Sequence, residues 1–161
     1  MKQVYFIIAM LCGLALGGQA QGIRFAEGSW KELLETAKKE GKLIFVDCYT
    51  EWCQPCKQME QQVFPSKKVG KFYNEHFINV KMDMEKGEGP VILNTYKINA
   101  FPTLLFVNGE GGEVYRIVGS KKEAELLQVG ADALASKTVY PVNSQCPPAV
   151  CGSSTCPPPT P

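Results

Sequence analysis

The chain has 161 residues, 45% of them hydrophobic and 20% charged, and its 17 basic and 16 acidic residues give a formal charge of +1. That balance is globular, and it excludes the basic stripe that a nucleic-acid surface needs. The length fits one domain of ordinary size with a real core.

Residues 1–20 read as a secretory leader. Lys2 supplies the positive charge, residues 4–16 form an apolar core, and Gly18-Gln19-Ala20 is a small-x-small cleavage site. The apolar run is too short to span a bilayer comfortably, so a membrane is expected only if the leader stays uncleaved as an anchor. Cleavage after Ala20 removes Lys2 and Cys12, leaving equal numbers of basic and acidic residues and six of the seven cysteines. Export, to the periplasm or into the medium, puts those thiols where disulfides persist.

The folded domain is expected over residues 21–136. Ser29-Trp30-Lys31-Glu32 has the capping-box spacing, and Trp30, Leu33, Leu34 and Ala37 then share one helix face until Gly41 ends it. Residues 42–49 carry the run Leu43-Ile44-Phe45-Val46 and read as a buried strand. A helix follows over 55–63 and breaks at Phe64-Pro65; Ser66 caps another, bearing Val69, Phe72 and Tyr73. His76 falls where that helix ends, with no catalytic partner beside it. Residues 77–83 alternate as a strand, 91–96 form a short helix, and Phe101-Pro102-Thr103 opens a strand over 104–107. Asn108-Gly109 turns the chain into a hairpin with 113–118. A closing helix over 121–135 is expected to bury Leu126, Leu127, Ala131 and Leu134. After Ser136 the composition shifts to Pro and small polar residues around Cys146, Cys151 and Cys156. Residues 137–161 therefore read as an extended, mostly unpacked tail.

Between the first strand and the second helix lies Trp52-Cys53-Gln54-Pro55-Cys56-Lys57. Two cysteines at this spacing form a redox pair, half of a zinc site or a static staple. Tetrahedral zinc needs a second ligand pair, for which the chain offers His76, the single Cys48 and the three tail cysteines. The strand–C-x-x-C–helix setting favours redox chemistry. A sulfur at a helix N-terminus sits in the positive end of the macrodipole, which favours the thiolate, and the thiolate is the form that attacks disulfides. Cys53 is therefore the expected nucleophile. Cys56, one turn on, is the thiol that resolves the mixed disulfide. That chemistry needs no metal and no other cofactor.

Helix, strand, C-x-x-C helix, strand, helix, Pro-led hairpin and helix together resemble the thioredoxin family over residues 27–135. Val46-Asp47 ahead of the dithiol, Glu51-Trp52-Cys53, Pro55-Cys56-Lys57, Lys81 in the central strand, Phe101-Pro102-Thr103 and Gly119 carry the resemblance. The chain departs from it at Gln54, where Gly is usual, and in its cysteine tail. The stretch between Gln61 and His76 is also longer, similar to thioredoxin-like domains exported by bacteria. The resemblance implies an α/β thioredoxin fold, a single domain with a central mixed β-sheet flanked by helices.

The resemblance also assigns roles. Pro102 would be cis and expose the Phe101 backbone to an extended substrate that adds like a short strand; a trans proline opening an edge strand is the other reading. Trp52, with Pro55, would shape the contact surface beside the sulfurs, or Trp52 would be structural only. Asp47 lies on an otherwise apolar strand, so burial should raise its pKa and let it take the Cys56 proton as a general base. A carboxylate exposed at the strand end is the alternative. Lys81 would pair with Asp47 and restrain the rise, or simply face outward. Cys48 should point to the opposite face as an inert thiol.

The expected function is a thiol–disulfide oxidoreductase that reduces disulfide-containing protein substrates in the cell envelope, supplied by an upstream thiol donor. One alternative is a non-catalytic binding or chaperone module that uses the Pro102 groove. Another is a metal-handling protein that uses the dithiol and the tail. The tail itself admits three roles: an inert disulfide with a spare thiol, a metal-binding stretch, or a dithiol that exchanges with Cys53–Cys56.

Overall fold

The computed structural model describes residues 22–139, with side chains to residue 137. The expected leader over 1–20 lies outside the described residues, as does the expected tail over 137–161 apart from its first three residues, which continue the closing helix to Val139. Within them the order is α1 (Trp30–Glu40), β1 (Leu43–Tyr49), α2 (Gln54–Gln62), α3 (Lys67–His76), β2 (Phe77–Asp83), α4 (Gly89–Thr95), β3 (Thr103–Val107), β4 (Glu113–Val118) and α5 (Glu123–Val139). The elements form a single domain around one sheet, in the order β2-β1-β3-β4. β1 and β2 run parallel, with Asp47 opposite Lys81, so the chain between them must cross over, and α2 and α3 make that crossing. β3 is antiparallel to both β1 and β4, which makes the sheet mixed.

Local chemistry sets the boundaries. Ser29 and Glu32 close a reciprocal capping box on α1, and Gly41 ends that helix in the left-handed region, at φ 62°. Ser66 caps α3 by accepting from the Val69 N–H. Pro65 stands between α2 and α3, where a continuous helix would need its missing N–H.

Alternation along β1 divides the core in two. Ile44, Val46 and Cys48 cluster with Leu33 and Ala37 of α1 and Ile92 of α4. Leu43 and Phe45 cluster with Met59 of α2, Val69 and Tyr73 of α3, and Leu126, Val129 and Ala133 of α5. Phe45 is fully buried, with its ring centroid 4.8 Å from Tyr73 and 5.3 Å from Phe106. Aromatic pairs of this kind add roughly 0.5–1.5 kcal/mol each beyond their buried area.

α5 buries a face shifted from the one expected, with Leu127 and Leu134 packed at the margin of the core. Leu126 is buried, but Ala131 is exposed and Leu127 and Leu134 are half-buried; Val129, Gly130 and Ala133 take the inner positions. Those four recur at helical spacing. Gly130 lies tight against α3, since a Cβ there would press on the Phe72 and Tyr73 rings.

The long stretch between α2 and β2 receives the N-terminal arm. Phe64 O accepts from Ile23 N at 2.8 Å, Asn74 Oδ1 from Arg24 N at 2.9 Å, and Asn79 O from Ala26 N at 2.7 Å. Gly70 makes room for the arm, because a Cβ there would overlap the backbone of Gly22. Residues 22–26 thereby occupy part of the edge of β2 that would otherwise be open to other strands.

Candidate active site

β1 ends at Tyr49, and the turn that follows delivers Cys53 to the start of α2. Cys53 N donates to Thr50 O at 3.1 Å, which closes the turn. Cys53 is the N-cap residue of α2, and its Sγ accepts from the Cys56 N–H at 3.2 Å. Pro55 sits in the first turn, where its missing N–H costs nothing. Cys53 and Cys56 form a disulfide, and both are almost fully buried. The helix begins one residue earlier than expected, with Cys53, the expected nucleophile, at its N-terminus.

Next to Cys53 in the chain, Trp52 presents an aromatic surface that is held in place. Trp52 is 65% exposed, yet its indole N–H donates to Glu85 Oε1 at 3.0 Å and its ring meets Phe101 edge-on at 5.8 Å. The Phe101–Pro102 bond is cis, and Pro102 O accepts from Gly119 N at 2.8 Å. Register places Thr103 beside Cys48, so Pro102 lies at the end of β1 from which the dithiol turn departs.

Beneath α2, Asp47 is 1% exposed, and its Oδ1 makes no hydrogen bond among the described residues. Burial pushes its carboxyl up from 3.8 to about 7; the Lys81 ammonium opposes the rise and the Glu60 carboxylate adds to it. Lys81 does stand opposite Asp47 in the sheet, but the expected ion pair between them is not the one formed. Its ammonium bonds Glu60 Oε1 and lies 4.5 Å from the Tyr49 ring centroid. Asp47 thus feels Lys81 through space, while Glu60 holds the charge at the surface. Cys56, Thr50, Tyr49, Glu60 and Lys81 share the wall of a cleft of about 480 Å³.

Cys48 points away from all of this, as alternation requires. It is fully buried on the α1 side, and burial with the Asp47 carboxylate nearby drives its thiol far above the ordinary range. His76 lies at the end of α3, with Nδ1 2.9 Å from Phe72 O and its ring stacked on Phe72, away from the dithiol elements. The expected residues Cys53, Cys56, Trp52, Pro55, Phe101 and Pro102 come together at one end of the sheet, with Asp47 and Lys81 behind them. Sequence reasoning missed Glu60 and Glu85. Glu60 follows Cys56 by one helical turn, a spacing that puts it on the same face.

The thioredoxin-like domain family matches residues 30–134. A candidate disulphide-isomerase from Bacteroides thetaiotaomicron, solved in solution, is 48% identical, with a TM-score of 0.64 over 73% of this chain and 97% of that one. Thioredoxin H2-1 of Oryza sativa subsp. japonica is 36% identical over 98 residues, which are 61% of this chain and 66% of the rice protein. The thiol:disulfide interchange protein DsbD of Yersinia pestis is 28% identical over 95 residues, 57% of this chain and 16% of DsbD. The chain therefore spans just under two thirds of the rice relative and a small part of DsbD.

Proposed function

The chain belongs to the thioredoxin-like domain family, and we propose from that premise that it reduces disulfides of protein substrates in the cell envelope. It is a thiol–disulfide oxidoreductase, and Cys53–Cys56 is the pair that cycles. The observation that carries the reading is Cys53 at the α2 N-cap, bonded to Cys56 one turn on, with the buried Asp47 on the same side of the sheet as α2.

In the proposed cycle the reduced Cys53 thiolate attacks one sulfur of a substrate disulfide and the other sulfur leaves. Cys56 then attacks Cys53 Sγ, re-forms the internal disulfide and releases the reduced substrate. Asp47, with a pKa of about 7, accepts the Cys56 proton as that thiol becomes the attacking thiolate. Trp52, Pro55, Phe101 and Pro102 form the surface against which the substrate lies. An upstream thiol donor restores the dithiol. The cell-envelope location rests on the leader over residues 1–20.

Insulin reduction in dithiothreitol tests this with the chain from Gln21 onward. Precipitation should accelerate with that chain and not with Cys53→Ser, while Cys56→Ser should accumulate mixed disulfides and turn over slowly. A reduction potential near roughly −270 mV supports reductant duty, and one near about −120 mV would reverse the direction. The relative that is 48% identical favours isomerisation as a second reading. Reactivation of a protein with scrambled disulfides, faster than insulin reduction, would select it.

A further inference from the structure

Residues 84–88 join β2 to α4 and run alongside the turn that carries the dithiol. Met84 N donates to Tyr49 O at 2.9 Å, where β1 ends. Two consecutive side chains of this loop then meet two consecutive side chains of the turn. Lys86 bonds Glu51, and Glu85 Oε1 accepts from the Trp52 indole N–H at 3.0 Å. Glu88 Oε2 accepts from Trp30 N at 2.6 Å, which fastens the end of the loop to the start of α1.

The loop is braced from within. Asp83 Oδ1 accepts from Glu85 N at 3.0 Å, Asp83 O from Lys86 N at 3.2 Å, and Lys86 O from Gly89 N at 2.9 Å. Gly89 permits this tight fold, since a Cβ there would fall 1.8 Å from Asp83 O. Glu85 is therefore carried on a loop that holds its shape, and it can fix the indole rather than follow it.

The two cross-links differ in weight. Lys86 and Glu51 are both exposed, and ion pairs in water contribute little. The Glu85 bond is charge-assisted, and it takes up the one polar hydrogen that an indole has. Trp52 is 65% exposed, and a side chain so placed turns freely unless something holds it. Glu85 holds the nitrogen edge of the ring, and Phe101 meets it edge-on. What remains for a substrate is the ring itself, already oriented next to Cys53 and Phe101.

We propose that Glu85 is a positioning residue for substrate recognition, fixing the Trp52 indole as a preorganised platform beside Cys53. It acts through the indole and not on the sulfurs. This rests on Trp52 belonging to the substrate surface proposed above. A platform ordered in advance spares the substrate the cost of ordering it on contact. Loss of Glu85 therefore falls on binding and leaves the exchange step alone.

Single turnovers of the pre-reduced chain from Gln21 onward test this with insulin and with a small aromatic disulfide, the rate of Cys53→Ser being subtracted. In Glu85→Ala the insulin concentration for half-maximal rate should rise about three- to tenfold, the weight of one hydrogen bond, with the limiting rate unchanged. Glu85→Gln keeps an acceptor at the same place and should recover most of that loss. Lys86→Met breaks the other cross-link and should stay within about twofold of the parent. The small disulfide should lose far less than insulin in Glu85→Ala. The Trp52 indole N–H, assigned by its absence in Trp52→Phe, should exchange faster with solvent in Glu85→Ala and not in Glu85→Gln. An unchanged insulin dependence in Glu85→Ala would overturn the proposal, even with the indole exchange altered. Equal loss on both disulfides would overturn it too, as would a loss in Lys86→Met as large as in Glu85→Ala, since either marks a collapsed loop. A parent chain that reduces neither disulfide would overturn the oxidoreductase reading and this one with it.

Discussion

Asp47 and Lys81 face each other across the β1–β2 ladder, yet the Lys81 ammonium is bonded to Glu60, on the helix that bears the dithiol. One buried carboxyl therefore sits beneath a surface ion pair whose two members push its ionisation in opposite directions.

Asp47→Asn should make the protein more stable at alkaline pH. The folded carboxyl holds its proton more tightly than the unfolded one, so ionising it works against the fold. That penalty is absent below the ordinary value of 3.8, grows up to about pH 7 and is complete above it. A rise from 3.8 to about 7 corresponds to roughly 4 kcal/mol. Urea unfolding should favour the variant by a few kcal/mol at pH 8.5, and the gap should close near pH 3.5. The same variant should slow insulin reduction about tenfold or more, since general bases typically contribute ~10²–10⁴. An unchanged rate would remove Asp47 from the proton path.

Glu60→Gln and Lys81→Met should move the ionisation of Asp47 in opposite directions. Removing the Glu60 carboxylate takes away a charge that raises it and leaves Lys81 unopposed, so the midpoint falls. Removing the ammonium raises it. Carboxyl carbon shifts of Asp47 across a pH series would report both changes. Movement of the two variants in the same direction would contradict the geometry.

Much of the fold and of the dithiol site is legible in the amino-acid sequence alone. Apolar runs bounded by Gly and Pro locate β1 and β3, alternation locates β2, and Asn108-Gly109 announces the β3–β4 hairpin. The unread part lies in relations between elements. Nothing in the local sequence says that α5 packs on α3 at Gly130, and Leu127, Ala131 and Leu134 recur at helical spacing as the buried set does, so the period alone does not choose between the two faces. The partner of Lys81 is hidden for the same reason. A strand register pairs it with Asp47, but only the placement of α2 over the sheet brings Glu60 into reach.

Trp52→Ala should leave stability nearly untouched, within about 0.5 kcal/mol, because the indole is largely exposed. KM for insulin should rise several-fold while turnover of a small aromatic disulfide stays close to the parent rate. Equal loss on both substrates would argue that the indole serves the sulfurs and not the contact surface.

Gly70→Ala should destabilise the domain by about 1–3 kcal/mol, the usual cost of overpacking, since the new methyl needs the space of the Gly22 backbone. Hydrogen exchange should increase first at Ile23 and Ala26, whose amides bond Phe64 O and Asn79 O. Protection lost uniformly across the sheet would place the effect elsewhere.

Cys48 adjoins Asp47 in the chain and is sealed on the far side of the sheet. A membrane-permeant alkylating reagent meets that sulfur only when the strands part, so its labelling rate counts whole-domain openings. The protein thus carries its own unfolding clock, and turnover on the opposite face of the sheet need never make it tick.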